Sequence, residues 1–315
     1  MRAFGILAGI VSLLFASPAL AQLSPTLAEL EMRITATAQE NPGEYGIAAL
    51  DLETGELVGV NTDMAFPMAS TMKIAVAAAY LADVDAGRRS LDDRIAGSTA
   101  YELMDQMMVR SNNYATDLLI ARLGGPASVD AWLDEHEIEG IRVDRTIAQL
   151  LAARRDLWED KDTSTPRAML ELLRRIDAGE VLSPSSKSVL LDMMRRCSTG
   201  RNRIKGLMPE NAVVEHKTGT LNGYTSDVGF LTLPNGHRVA VAFFARGGSN
   251  RPAVIATAAR AIYDGFSMEW TDRYAIAAAT GNAAGSITPA TQGRVYLNAT
   301  YPRQHAPEED TISSE

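Results

Sequence analysis

The chain has 315 residues, 46% hydrophobic and 22% charged. That is ordinary for a soluble globular protein and enough for a substantial core. A net charge of −9 argues against nucleic acid, which calls for a basic patch. Part of the acidity lies in the tail at Glu308, Glu309, Asp310 and Glu315. The single cysteine, Cys197, rules out an intramolecular disulfide. The four histidines (His136, His216, His237, His305) are scattered, and the run at His136-Glu137 lacks a second histidine at zincin spacing. Neither a metal nor a cofactor is expected.

Residues 1–21 read as a secretory signal. Arg2 supplies the positive start, Gly5 to Phe15 is apolar or small, and Ala19-Leu20-Ala21 offers a small-x-small cleavage site. The alternative is an N-terminal anchor, but the run is shorter than the ~20 residues a span needs. No cysteine follows the cleavage site to carry a lipid. The expected product is periplasmic or secreted after cleavage near Ala21, monomeric and without a membrane span.

Ser24-Pro25 reads as an N-cap with proline at the first helical position, opening a helix to about Gln39 that Asn41-Pro42-Gly43 ends. Tyr45 to Leu52 and Leu57 to Val60 read as strands around the turn Glu53-Thr54-Gly55. Apolar spacing predicts helices over 70–83, 99–109, 112–123, 127–135, 166–178 and 184–196. Strands return at Ala212 to His216, Ser226 to Leu233 and Arg238 to Phe244, the last two joined at Pro234-Asn235-Gly236. Arg251 to Phe266 reads as a closing helix, and residues 271–315 as a disordered tail rich in small, polar and acidic residues. The fold class expected is α/β (α+β): an antiparallel sheet built from both ends of the chain, flanked by helices. Residues 22–60 and 211–270 would form that part, with an all-helical subdomain over 61–210 inserted. The cleft between them is the natural place for a site.

Three short runs carry chemistry. In Ser70-Thr71-Met72-Lys73, serine and lysine lie three apart and share a helix face. The apolar residues that follow mark a buried helix. Burial beside another cation disfavours the ammonium form, and a neutral amine there can take the serine proton. Ser111-Asn112-Asn113 lies between two predicted helices and equally reads as an ordinary N-cap. Lys217-Thr218-Gly219-Thr220 ends a predicted strand, where it equally reads as a plain turn. Its lysine and two hydroxyls suit a carboxylate, and its glycine lets a ligand approach the backbone.

Together, and in this order, the runs resemble the Ser-x-x-Lys, Ser-x-Asn and Lys-Thr-Gly motifs of class A β-lactamases and penicillin-binding serine hydrolases. The stretch Thr199 to Pro209 resembles the lead into the third motif, and Asp162 to Pro166 the end of the family's omega loop. The resemblance covers roughly residues 24–267. It implies a serine hydrolase that forms an acyl-enzyme on Ser70 with a β-lactam, or with the peptidoglycan peptide that a β-lactam mimics. Lys73 and Ser111 would move the proton to the leaving nitrogen, and the N–H groups of Ser70 and Thr220 would form the oxyanion hole. Asn113 would bind the side-chain amide. Lys217, Thr218, Gly219, Thr220 and Arg203 would hold the substrate carboxylate, Arg203 by its two-pronged fork. Arg145 would pair with Asp162 to close the omega loop.

The pattern also breaks. The family's loop runs Arg-x-Glu-x-x-Leu-Asn, whereas this chain has Arg145-Thr146-Ile147-Ala148-Gln149-Leu150-Leu151. Ile147 fills the glutamate slot and Leu151 the asparagine slot. A two-residue shift brings in no carboxylate, and Glu159 and Asp160 stand too close to Asp162. Acylation is therefore expected to proceed and deacylation to be slow. Ser70 and Ser111 are only 41 positions apart, short for the family, which implies a missing loop at the pocket edge. Ser226-Asp227 stands where many members have Ser-Arg, with Arg203 as the substitute charge. The alternatives are a DD-peptidase or esterase using the same acyl-enzyme, or a non-catalytic penicillin-binding protein.

Overall fold

The computed structural model describes residues 23–154 and 156–280. The signal segment over 1–21 and the tail beyond 280 lie outside the described residues.

Helix α1 (Pro25–Gln39) begins as its sequence dictates. Ser24 Oγ accepts from Leu27 N at 3.1 Å, and Pro25 gives up no needed donor at the first position. Strands β1 (Glu44–Asp51) and β2 (Leu57–Val60) form the first hairpin. Short β3 (Phe66–Pro67) leads into a 3-10 turn over Ala69–Met72, and α2 (Lys73–Asp85) follows. A small hairpin, β4 (Arg94–Ile95) and β5 (Ser98–Thr99), precedes α3 (Ala100–Val109), α4 (Asn113–Leu123) and α5 (Pro126–Glu135). Then come α6 (Ile147–Ala152), β6 (Thr163–Ser164), α7 (Pro166–Ala178) and α8 (Pro184–Arg195). Strands β7 (Val213–Leu221), β8 (Tyr224–Thr232) and β9 (Arg238–Arg246) and helix α9 (Arg251–Ala279) complete the fold.

The main sheet is antiparallel with order β2-β1-β9-β8-β7, so strands from both ends of the sequence join at β1 and β9. Alternate residues point to opposite faces of a strand, and here both faces are covered. Ile47 and Ala49 of β1 and Val239, Val241 and Phe243 of β9 pack with α1 and α9 residues such as Leu27, Leu30, Ile34 and Ile262. Ala48 and Leu50 with Ala240, Ala242 and Phe244 face the other core, with α2 and its neighbours. Helix α2 is buried from Lys73 through Leu81 on every side. It is the axis of the helical half and carries the first motif at its start.

Three expectations need correction. The strand expected to stop at His216 runs on to Leu221, so Lys217 to Thr220 lie within it. Gly219 explains this: a Cβ there would sit 2.7 Å from Met68 O and 2.4 Å from Ser226 Oγ, so only glycine lets β7 approach the Ser70 turn. The helix expected to close at Phe266 continues to Ala279, so the tail boundary placed at 271 falls inside a helix. Contacts far along the sequence hold that extension. Trp270 Nε1 donates to Asp51 Oδ2 at 2.6 Å and its ring stacks on His237 at 3.7 Å, while Arg273 pairs with Glu56 and Glu269. Finally, α6 was not expected at all. Its first two N–H groups, those of Ile147 and Ala148, are bound by Asp117 at 2.6 and 2.9 Å.

Candidate active site

Three elements bring the motifs together. Ser70 lies in the 3-10 turn that leads into α2, held by an Ala69 backbone at φ 49°. Ser111 lies in the α3–α4 connection at φ 58°. Positive φ at two non-glycine residues is strain that the surroundings must maintain, and such strain concentrates at functional sites. The outer edge of β7 supplies Lys217 to Thr220, and Ser226 Oγ ties β8 to Met68 O at 3.2 Å.

Lys73 is fully buried. Its Nζ donates to Ser111 O at 2.8 Å, Ser111 Oγ at 3.2 Å and Asn113 Oδ1 at 2.8 Å, using all three ammonium protons. Lys217, equally buried, donates to Ser111 Oγ at 2.9 Å and Thr218 O at 2.9 Å. Ser111 Oγ thus accepts from both lysines, which fills its lone pairs and leaves its own proton free to donate. Burial, then the charge of Lys217, pulls the Lys73 amine down to about 7, with Asp117 opposing. Burial likewise lowers Lys217 to about 8, against the opposing charges of Cys197 and Asp227. Near neutrality, one amine can therefore be free base while the other keeps its proton.

Arg203 is placed differently from the open fork expected. It lies buried behind the strand, Nη1 on the carbonyls of Gly219 (2.9 Å) and Ser226 (2.8 Å), Nη2 on Thr220 Oγ1 (2.7 Å). Thr220 is exposed, and accepting from Arg203 frees its hydroxyl proton to point outward. Thr218 is buried, its Oγ1 2.5 Å from Thr199 Oγ1.

Arg145 Nε meets Asp162 Oδ2 at 2.5 Å, and its Nη2 meets Glu159 Oε1 at 2.5 Å. Asp162 Oδ1 also accepts the N–H groups of Asp144 (2.9 Å) and Arg145 (3.0 Å), and Asp162 O accepts from Met68 N at 2.8 Å. The loop is thereby tied to the backbone two residues before Ser70. Asp162→Ala leaves Arg145 paired with Glu159 but takes away the acceptor of the Asp144 and Arg145 N–H groups. It is expected to cost about 1–3 kcal/mol of stability, read as a lower midpoint in denaturant unfolding. An unchanged midpoint would show that the pair holds nothing together.

At the two loop positions where the family carries glutamate and asparagine, this chain has Ile147 and Leu151. Ile147 is buried in the core, Leu151 is half exposed, and Gln149 turns back to accept from Thr146 N at 2.9 Å as a helix cap. Glu159 is spent on Arg145. Asp117 was missed at the sequence level, although it follows Asn113 by four residues on one helix face. Its oxygens serve the start of α6, and its charge acts on Lys73. Also missed was a buried contact behind β7, where His216 Nδ1 lies 2.8 Å from Asp227 Oδ1.

Residues 29–266 match the family model described as the beta-lactamase enzyme family. The chain is 29% identical to Beta-lactamase VEB-1 of Pseudomonas aeruginosa, over 68% of this chain and 81% of that protein. It is 29% identical to the carbapenem-hydrolyzing beta-lactamase KPC of Klebsiella oxytoca, over 73% and 86%. Among solved structures it is similar to a variant of the last common ancestor of Gram-negative bacteria class A beta-lactamase, with TM-score 0.72, 32% identity and coverage of 76% and 99%. The TLA-1 extended-spectrum beta-lactamase superposes with TM-score 0.72 at 26% identity, over 77% and 99%. The family-model match and these likenesses agree, and the chain belongs to the beta-lactamase enzyme family as a serine hydrolase of the class A kind.

Proposed function

We propose that this hydrolase is exported to the periplasm, acts as a monomer, and is acylated at Ser70 by β-lactams that then leave slowly. In this reading the free amine of Lys73 takes the Ser70 hydroxyl proton as Oγ attacks the lactam carbonyl. The N–H groups of Ser70 and Thr220 receive the oxyanion, each such donor being worth ~2.7–4 kcal/mol in the transition state. Lys73 returns its proton through Ser111 to the ring nitrogen, the C–N bond breaks, and the acyl group stays on Ser70. The shared hydrogen bonds at Ser111 Oγ suit that relay. Asn113 binds the acyl side-chain amide. Thr220 meets the substrate carboxylate, with Thr218, Gly219 and the positive charges of Lys217 and Arg203 behind it.

Slow release rests on a single observation: the loop that would supply the water-activating carboxylate presents Ile147 inward and ties Glu159 to Arg145. Losing a general base costs roughly 10²–10⁴-fold. Fluorescent penicillin tests the acylation half. Labelling of the wild type that disappears in Ser70→Ala is expected, and label retained in that variant would refute it.

A second reading, action on D-Ala-D-Ala-like peptides, draws on the short Ser70–Ser111 connection. There the β4–β5 hairpin leads straight into α3, and Tyr114 beside Asn113 is 69% exposed. Release of D-alanine from such a peptide, blocked by prior penicillin, would favour it over a β-lactam specialist.

A further inference from the structure

Lys217 reaches Ser111 across the cleft, so Thr218 and Thr220 lie on differing sides of it in sequence from His216 yet share with that residue the opposite face of β7. His216 pairs in register with Gly229 and Thr218 with Asp227, which makes His216 and Asp227 diagonal neighbours on that face. Both are fully buried, and His216 Nδ1 lies 2.8 Å from Asp227 Oδ1. The other ring nitrogen, Nε2, is buried without a hydrogen-bond partner among the described residues, so the ring spends its polar contact on Asp227. Asp227 Oδ2 accepts from Ile204 N at 3.2 Å, which ties the carboxylate to the backbone next to Arg203. The Arg203 fork nevertheless turns to neutral acceptors. Its Nη1 meets the carbonyls of Gly219 and of Ser226, the residue before Asp227, and its Nη2 meets Thr220 Oγ1, while Nε is buried and unpartnered. Arg251 also reaches this face but is tied to Gly247 O at 2.8 Å and Thr225 Oγ1 at 3.3 Å.

We propose that His216 is a positioning residue that occupies the Asp227 carboxylate and so keeps the Arg203 fork on Thr220, ready for substrates that carry a carboxylate. A guanidinium favours a carboxylate, met with opposite charge and two parallel bonds, over neutral carbonyls. A buried carboxylate stripped of its partner is costly and takes the cation within reach. Without His216, Asp227 is that carboxylate and Arg203 that cation. The fork would leave Gly219 O, Ser226 O and Thr220 Oγ1 for Asp227. Thr220 would then lose the donor that leaves its own proton free for substrate. His216 touches no substrate and acts through Asp227, Arg203 and Thr220 in turn. The consequence for substrate rests on the reading of Thr220 as the carboxylate contact, but the competition for Asp227 does not.

Benzylpenicillin and its methyl ester differ only at the ring carboxylate, so the ratio of their Ser70 acylation rates, followed by mass spectrometry of the full chain, reads this arrangement. The wild type is expected to favour the acid. His216→Leu, which cannot donate, should lower the acid rate by roughly 10-fold, the size of a lost hydrogen bond to a charged group, and leave the ester rate as it was. His216→Asn, whose amide can still donate to Asp227, should keep the wild-type ratio. Asp227→Asn removes the competing charge, so adding it to His216→Leu should recover the ratio, and alone it should leave the ratio unchanged. A merely structural pair makes the double variant at least as poor as His216→Leu, and that result overturns the proposal. So does a ratio that collapses in folded Asp227→Asn, even if His216→Leu does not fold, because the carboxylate itself would then hold Arg203. NMR of the wild type with isotope-labelled histidine needs no variant: the buried ring must carry a proton on Nδ1, and a bare Nδ1 overturns the proposal. A wild type that takes acid and ester alike would overturn the carboxylate reading of Thr220 and the proposal with it. A preference present in the wild type but insensitive to His216→Leu overturns the proposal alone.

Discussion

Replacing Lys73 with alanine is expected to slow acylation of Ser70 by about 10²–10⁴-fold. The change removes the base and also the bonds that Lys73 makes to Ser111 and Asn113, leaving Ser111 Oγ its bond from Lys217. The same argument fixes the pH dependence. Lys73 must be free base to accept the proton, so the rate rises with pH through about 7. Lys217 must stay charged to support the substrate carboxylate, so the rate falls as pH passes about 8. The profile is a narrow bell between those values. Because the two amines share Ser111 Oγ, its limbs belong to the pair rather than to either lysine. Stopped-flow acylation with a chromogenic cephalosporin reads both effects. A Lys73→Ala rate within a few-fold of wild type would remove the amine from the mechanism.

How much of this was legible in the sequence followed the range of the interactions. Local signals were sufficient where the structure is locally determined. Ser24-Pro25 opens α1 because a side chain three residues away meets an orphan N–H. Pro234-Asn235-Gly236 turns β8 into β9 because Gly236 adopts φ 88°. The apolar run after Lys73 marks the buried axis because a helix without a polar face has nowhere else to lie. What was not legible depends on distant partners. Helix α6 is started by Asp117 some thirty positions earlier, and the last turns of α9 by Asp51 and His237. Arg203 was expected to face substrate, yet the carbonyls of Gly219 and Ser226 capture its fork from behind. His216 and Asp227 are unremarkable as sequence and meet only when β7 and β8 pair.

The second large effect concerns the other half of the cycle. Hydrolysis of a β-lactam is expected to show a burst of about one equivalent per enzyme, then a steady rate roughly 10²–10⁴-fold below that of an enzyme with a water-activating base. The cause is placement. Glu159 holds two contacts with Arg145, Gln149 caps α6, and Asp117 is bound by two backbone N–H groups. Freeing Glu159 by Arg145→Ala would not restore turnover, since the same change also unpairs Asp162.

Intact-protein mass spectrometry after brief exposure to a penicillin, with peptide mapping, follows the bound species directly. One penicilloyl group on Ser70, still present after hours in buffer, is the outcome required. An unmodified serine, or an adduct gone within seconds while substrate is consumed many times over, would contradict it.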